Sequence, residues 1–173
     1  MQVKELMTPL SEYTTLGMDA KLSDVVVALE SSKHRDILIV NENGNLKGVL
    51  TMTDILGMLE PSYKKLKEQD LAKDTLTNRY VADIFKEFGL WSNTLDELCE
   101  KGCDIKATDA MHVPEEVEYL DEEDNLEHGV HNYIVGSHQP LIVRKNGHVT
   151  GVLRLTDVFD EVKKRMVSCA CEQ

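Results

Sequence analysis

One stretch of this chain is written twice, and that repetition limits the fold more than any other feature. The first copy runs Ile37-Leu38-Ile39-Val40, a polar turn with Gly44, then Leu46, Gly48-Val49-Leu50 and Thr53-Asp54-Ile55. The second runs Leu141-Ile142-Val143, a turn with Gly147, then Val149, Gly151-Val152-Leu153 and Thr156-Asp157-Val158. Leu38 to Leu141, Gly44 to Gly147, Gly48 to Gly151 and Asp54 to Asp157 are all separated by the same 103 positions. Self-similarity at a fixed offset is the mark of a duplicated structural unit.

Each copy has the same coarse plan. A short extended piece comes first, near Thr14–Leu16 and near Glu118–Leu120. An amphipathic helix follows, with Leu22, Val25, Val26 and Leu29 as its predicted core face in copy one, and Leu126, Val130, Tyr133 and Ile134 in copy two, where Asn125 stands at the N-cap. The continuous apolar runs Ile37–Val40 and Leu141–Val143 read as strands buried on both faces. Asn43-Gly44 and Asn146-Gly147 supply tight turns into a second strand, and a second helix follows. In copy two that helix carries the stripe Val158, Phe159, Val162, Met166. The order per copy is β-α-β-β-α, an α/β (α+β) unit. The expected domains are 1–60, a helical insert at 61–104, a second unit at 105–168 and a tail at 169–173.

The insert belongs to neither copy. Val81, Ile84, Phe85 and Phe88 form a helical stripe before Gly89, and a further helix is expected from about Asn93 to Lys101, closed by Gly102. Tyr63, Tyr80, Phe85, Phe88 and Trp91 gather here, either as a satellite core on the repeats or as a partner surface.

With a formal net charge of -12, and acid in excess in each part of the chain, general nucleic-acid binding is disfavoured. One small anion remains compatible, since a local cation cluster or a helix start suffices to hold it. No apolar run reaches the length of a membrane span, and Met1-Gln2-Val3-Lys4-Glu5 lacks a signal-peptide core, so a cytoplasmic location is expected. Cys99, Cys103, Cys169 and Cys171 match no standard zinc spacing and are expected to be reduced thiols. His128 and His131 share a helix face at i, i+3, as a metal pair or as ordinary surface histidines. No hydrolase elbow, phosphate-binding Gly-Lys-Thr loop or His-Glu-x-x-His motif occurs, and no enzyme is expected.

A tandem β-α-β-β-α repeat with Gly, two apolar residues, Ser or Thr, two more residues and Asp resembles a pair of CBS domains, the family named after cystathionine β-synthase. Gly48-Val49-Leu50-Thr51-Met52-Thr53-Asp54 carries the motif complete; Gly151-Val152-Leu153-Arg154-Leu155-Thr156-Asp157 has arginine where the family has a hydroxyl. Met7-Thr8-Pro9 is similar to the family's opening, and Asp109-Ala110-Met111 more loosely so. The resemblance covers residues 3–59 and 105–166. It implies two units packed as a pseudo-two-fold pair, or Bateman module, commonly dimeric. Such a pair has clefts for AMP, ADP, ATP or, less favoured here, S-adenosylmethionine, and an unidentified effector protein would receive the signal.

The resemblance implies ligand contacts by Thr15, Ile37, Thr51, Thr53 and Asp54 in one cleft, the aspartate accepting from ribose hydroxyls. In the other it implies Tyr119, Pro140, Arg154, Thr156 and Asp157. His34 and Arg35, beside Lys33, are phosphate candidates just before the first buried strand. Thr51-x-x-Asp54 is equally the spacing of a helix capping box, which Arg154 breaks in copy two unless Thr156 takes over as cap. Arg154 is placed to pair with a phosphate or with the acidic run Asp121-Glu122-Glu123-Asp124. Two other readings remain at this point: a dimerising scaffold with empty clefts, and a metal or redox sensor using the cysteines.

Overall fold

The computed structural model describes residues 1–60, 62–63, 83, 85–87, 89–136 and 139–171. Two small sheets form the centre. In the first, β2 (Thr15–Gly17) runs parallel to β3 (Asp36–Val40), which pairs antiparallel with β4 (Leu46–Thr51). In the second, β5 (Tyr119–Asp121) runs parallel to β6 (Leu141–Lys145), and β6 pairs antiparallel with β7 (His148–Leu153). The parallel pairs need a crossover. Helix α1 (Leu22–Ser32) supplies the first and a helix at Leu126–Val135 the second. Helix α2 (Met52–Leu59) follows β4, and a long helix at Leu155–Cys171 follows β7. The β-α-β-β-α order expected of each copy is the order found.

The double-sided burial of the central strands has a direct cause in side-chain alternation. Ile37, Ile39 and Leu50 point outward to Leu22, Val25 and Leu29 of α1. Leu141, Val143 and Leu153 meet Leu126 and Val158 in the same way. The alternate residues Leu38 and Val49 point inward and meet Ile142 and Val152, with Tyr13 among them. This shared inner layer joins the two copies face to face about a pseudo-two-fold axis. Ile37, Leu38, Ile39, Leu50, Ile142, Val143, Val152 and Leu153 are all fully buried.

The constant offset needs a correction. Leu38 pairs with Val49, and their inward-facing counterparts are Ile142 and Val152, so the first strands of the two hairpins are related by one position more than the second strands. The turn of copy one is longer by one residue. Each hairpin has a register shift, between Ile39 and Val40 and between Val143 and Arg144. The counterpart of Pro140 is therefore Asp36, not Ile37.

The copies also exchange their opening segments. Strand β1 (Thr8–Pro9) joins the second sheet beside β7, Val3 is buried with Leu120 and Leu141, and the Leu126 N–H donates to Met1 O at 3.0 Å. Reciprocally, Ala107 is buried in the first core, Leu22 N–H donates to Ile105 O at 2.8 Å, and His112 and Val49 exchange backbone bonds at 2.8 Å each.

Helix α3 (Leu95–Gly102) is the expected insert helix, capped by Thr94, and α4 (Ala107–Ala110) follows it. Glu60 closes α2 by accepting the N–H of Trp91 at 2.7 Å and of Ser62 at 3.1 Å. The Trp91 indole N–H donates to Tyr63 Oη at 3.2 Å, with the rings edge-on. These two aromatics pack at the end of the first repeat. Phe85 is exposed. Tyr80, Val81, Ile84 and Phe88 lie outside the described residues.

Core assignments on three helices are corrected, four residues in all. The Leu126–Val135 helix is labelled α5 and the Leu155–Cys171 helix α6. Val26 on α1, Ile134 on α5, and Phe159 and Met166 on α6 all face outward, although each continues an apolar stripe. Asn132 takes the buried place on α5, donating to Val117 O at 3.0 Å. Asn125 stands at the N-cap of α5 but its side chain makes no cap bond.

Candidate functional site

A solvent-open pocket with a cavity volume of about 130 Å³ lies where the two copies meet. Three short segments build it: Lys33–Asp36 ahead of β3, Gln139 and Pro140 ahead of β6, and Arg154–Thr156 at the start of α6. Tyr13, at the end of the opening turn, completes the wall. The corrected register explains this grouping. Asp36 and Pro140 are equivalent strand heads, and both point into the same space between the sheets.

The walls mix apolar surface with a group of basic side chains. Lys33, His34, Arg35 and Arg154 line the pocket, opposed by the Asp36 carboxylate. Asp36 is buried and accepts a short hydrogen bond from the Tyr13 hydroxyl. The Tyr13 ring stacks on His34 with centroids 4.5 Å apart and planes 12° from parallel, and His34 Nδ1 lies 3.2 Å from Thr14 Oγ1. Burial pushes the Asp36 carboxyl above the ordinary range, against the hydrogen bond from Tyr13 and the charges of His34 and Arg154. Burial also raises the Tyr13 phenol, helped by the neighbouring Asp36 charge and hydrogen bond.

Arg154 does not pair with the acidic run; it pairs with Asp157. Its Nε donates to Asp157 Oδ2 and its Nη2 to Asp157 Oδ1, each at 2.7 Å. The acidic run is engaged elsewhere: Asp121 with Arg144, Glu122 with Lys145 and Asp124 with His128. Thr156 lies inside the first turn of α6 and is not its cap; Arg154 occupies the position just before the helix.

The pocket thus brings together His34, Arg35, Pro140, Arg154 and Thr156. It does not bring in Thr15, Ile37, Thr51, Thr53, Asp54, Tyr119 or Asp157. Thr15 is half-buried in β2, and Ile37 is fully buried toward α1. Thr51 and Asp54 form the capping box of α2: Asp54 N–H donates to Thr51 Oγ1 at 3.2 Å, while Thr51 N–H and Oγ1–H donate to Asp54 Oδ2 at 2.9 and 2.7 Å. Thr53 is exposed on the first turn of that helix. Tyr119 packs in the inner layer with the Arg144 guanidinium 5.1 Å above its ring.

Tyr13, Asp36, Gln139 and Leu155 were not among the candidates from sequence. An aspartate heading an otherwise apolar strand was the available signal for Asp36, since a carboxylate there needs a donor or a ligand. Cys99, Cys103 and Cys169 are exposed and outside any disulfide. Among the described residues no group of three metal-ligating side chains occurs, and no helix is long and apolar enough to cross a membrane.

Residues 3–60 match the family model of the CBS domain. The chain folds as a CBS-domain pair. The CBS-pair protein CBSX2 from Arabidopsis thaliana superposes with a TM-score of 0.65 at 19% identity, over 95% of this chain and 96% of that one. CBSX2 in complex with AMP gives a TM-score of 0.63 at 17% identity, covering 94% and 97% of the two chains. The CBS domain of the bacterial CNNM/CorC family Mg2+ transporter in complex with ATP gives 0.62 at 16% identity, covering 94% and 87%. Among curated proteins none matches the chain in sequence. Within this CBS pair, the pocket at the start of α6 is where the two domains present their loops to a common space.

Proposed function

We propose that this CBS pair is a regulatory module, not an enzyme, that takes an adenine nucleotide in the inter-domain pocket and signals through a change in packing. The observation that carries it is the pocket itself. Lys33, His34, Arg35 and Arg154 converge there in a chain whose net charge is -12. Arg154 is met by Asp157, but Lys33 and Arg35 suit an anionic ligand, and the start of α6 adds backbone N–H groups suited to a phosphate. The complexes of the same fold with AMP and with ATP support the choice of ligand.

Isothermal titration with AMP, ADP, ATP and S-adenosylmethionine tests this. Saturable binding of a nucleotide below millimolar concentration is expected. At 100 times the dissociation constant it stabilises the fold by about 2.7 kcal/mol, which a thermal melt reads. Unchanged melts with all four ligands leave the scaffold reading, which one observation favours: both motif aspartates already have protein partners.

A homodimer belongs to this proposal. Met52 and Leu56 on α2, and Phe159 and Met166 on α6, are exposed apolar residues on the helices that flank the clefts. Sedimentation is expected to show a dimer that Phe159→Asp weakens; a monomer at micromolar concentration would remove this part. The effector protein and a cytoplasmic setting complete the proposal.

A further inference from the structure

We propose that Arg154 makes the pocket demand a phosphate before it admits a ribose. The inference rests on the nucleotide reading above and adds a selection rule to it. Asp157 is the carboxylate offered for ribose hydroxyls, and Arg154 holds both of its oxygens at 2.7 Å. Arg154 lines the pocket and Asp157 does not. The Asp157 side chain is 20% exposed and that of Arg154 35%, so the guanidinium screens the carboxylate from the cleft. The Asp36 charge also acts on Arg154, which therefore lies under the pull of two carboxylates.

A nucleoside brings nothing to receive the guanidinium. To reach Asp157 it must break a bidentate charged pair and leave the arginine unpaired. A phosphate presents the same paired oxygens that the arginine fork fits. A nucleotide therefore draws Arg154 off Asp157 with one end and occupies the freed carboxylate with the other. Phosphate and ribose binding are coupled through a single side chain, and a ligand shifts that equilibrium only by its differential affinity for the two positions. Copy one has no such latch, because Thr51 at the matching position ties Asp54 only into a capping box.

The test compares adenosine, AMP and ATP by calorimetry on the full chain, as wild type, Arg154→Thr and Arg154→Gln. In the wild type AMP is expected to bind at least about 100-fold more tightly than adenosine. In both variants AMP weakens and adenosine binds more tightly than to wild type, so the ratio falls to about 10 or below. The gain for adenosine is the decisive reading, since an arginine that merely touched phosphate would leave adenosine unchanged. An unchanged adenosine affinity in the variants, or adenosine equal to AMP in the wild type, overturns the latch and leaves the nucleotide reading standing. Wild type that binds none of the three overturns both. Arg154→Gln keeps the side chain's length and decides the matter should the threonine variant fold poorly.

Discussion

Raising the pH past the ordinary range of tyrosine is expected to unfold this protein steeply. Tyr13 and Tyr133 are held protonated in the fold, each chiefly by burial. Tyr13 is bonded to Asp36; the Tyr133 hydroxyl donates to Leu153 O and accepts the Leu141 N–H at 3.3 Å. Burial raises Tyr119 in the same direction. The unfolded chain releases these protons near pH 10, the ordinary range of a tyrosine, while the folded chain keeps them. The native state then binds more protons than the unfolded state, so stability falls as pH rises. Each group adds a limiting slope of about 1.4 kcal/mol per pH unit, so the two most shifted together approach about 2.7 kcal/mol per unit above pH ~11. A domain with about 5–15 kcal/mol in hand loses much of it within a few units.

Urea unfolding at a series of pH values, with tyrosinate absorbance followed in parallel, reads this directly. Tyrosinate is expected to appear together with loss of structure, and Tyr13→Phe to halve the slope. Free ionisation of all tyrosines near pH 10 in the folded protein would sink the prediction. At the acid end Asp36 has the same sign. Its folded pKa is raised, so its contribution is greatest below the unfolded value and is lost as pH rises through the folded one.

The pattern of strands was readable because burial on two faces leaves an uninterrupted apolar run, and Ile37–Val40 and Leu141–Val143 are such runs. The outward-facing helix residues were not separable from the core. Periodicity identifies an apolar face, but the same 3.6-residue spacing describes a face against a sheet and one left open. Phe159 and Val158 are neighbours in one stripe, yet only Val158 is buried. The exchange of openings was illegible for another reason: β1 has two residues, too few for any period, and its partner β7 lies far along the chain. The site was half legible. Arg154 drew notice as a departure from a motif, whereas Asp36 entered only with the hairpin register, because one extra turn residue moves the equivalence from Ile37 to its neighbour.

That exchange makes one glycine decisive. Gly151 on β7 faces Pro9 of β1, and a Cβ there would run into the carbonyl oxygen of Thr8, with Thr8 C at 3.2 Å and Pro9 Cα at 3.3 Å. These are backbone atoms, so no rotamer change relieves the contact. Gly151→Ala is expected to cost about 1–3 kcal/mol, as overpacking does. Gly57→Ala on α2 is the control: nothing lies within 4 Å of the added carbon, and a helical alanine should stabilise by about 0.5–1 kcal/mol. Urea midpoints separate the two; Gly151→Ala as stable as wild type would show that β1 yields without resistance. The loss should also reach the pocket. From Pro9 the chain passes through a single turn, Leu10–Glu12, to Tyr13, whose ring covers His34 and whose hydroxyl holds Asp36. Displacing β1 displaces Tyr13, so nucleotide affinity should fall with stability in Gly151→Ala and stay unchanged in Gly57→Ala.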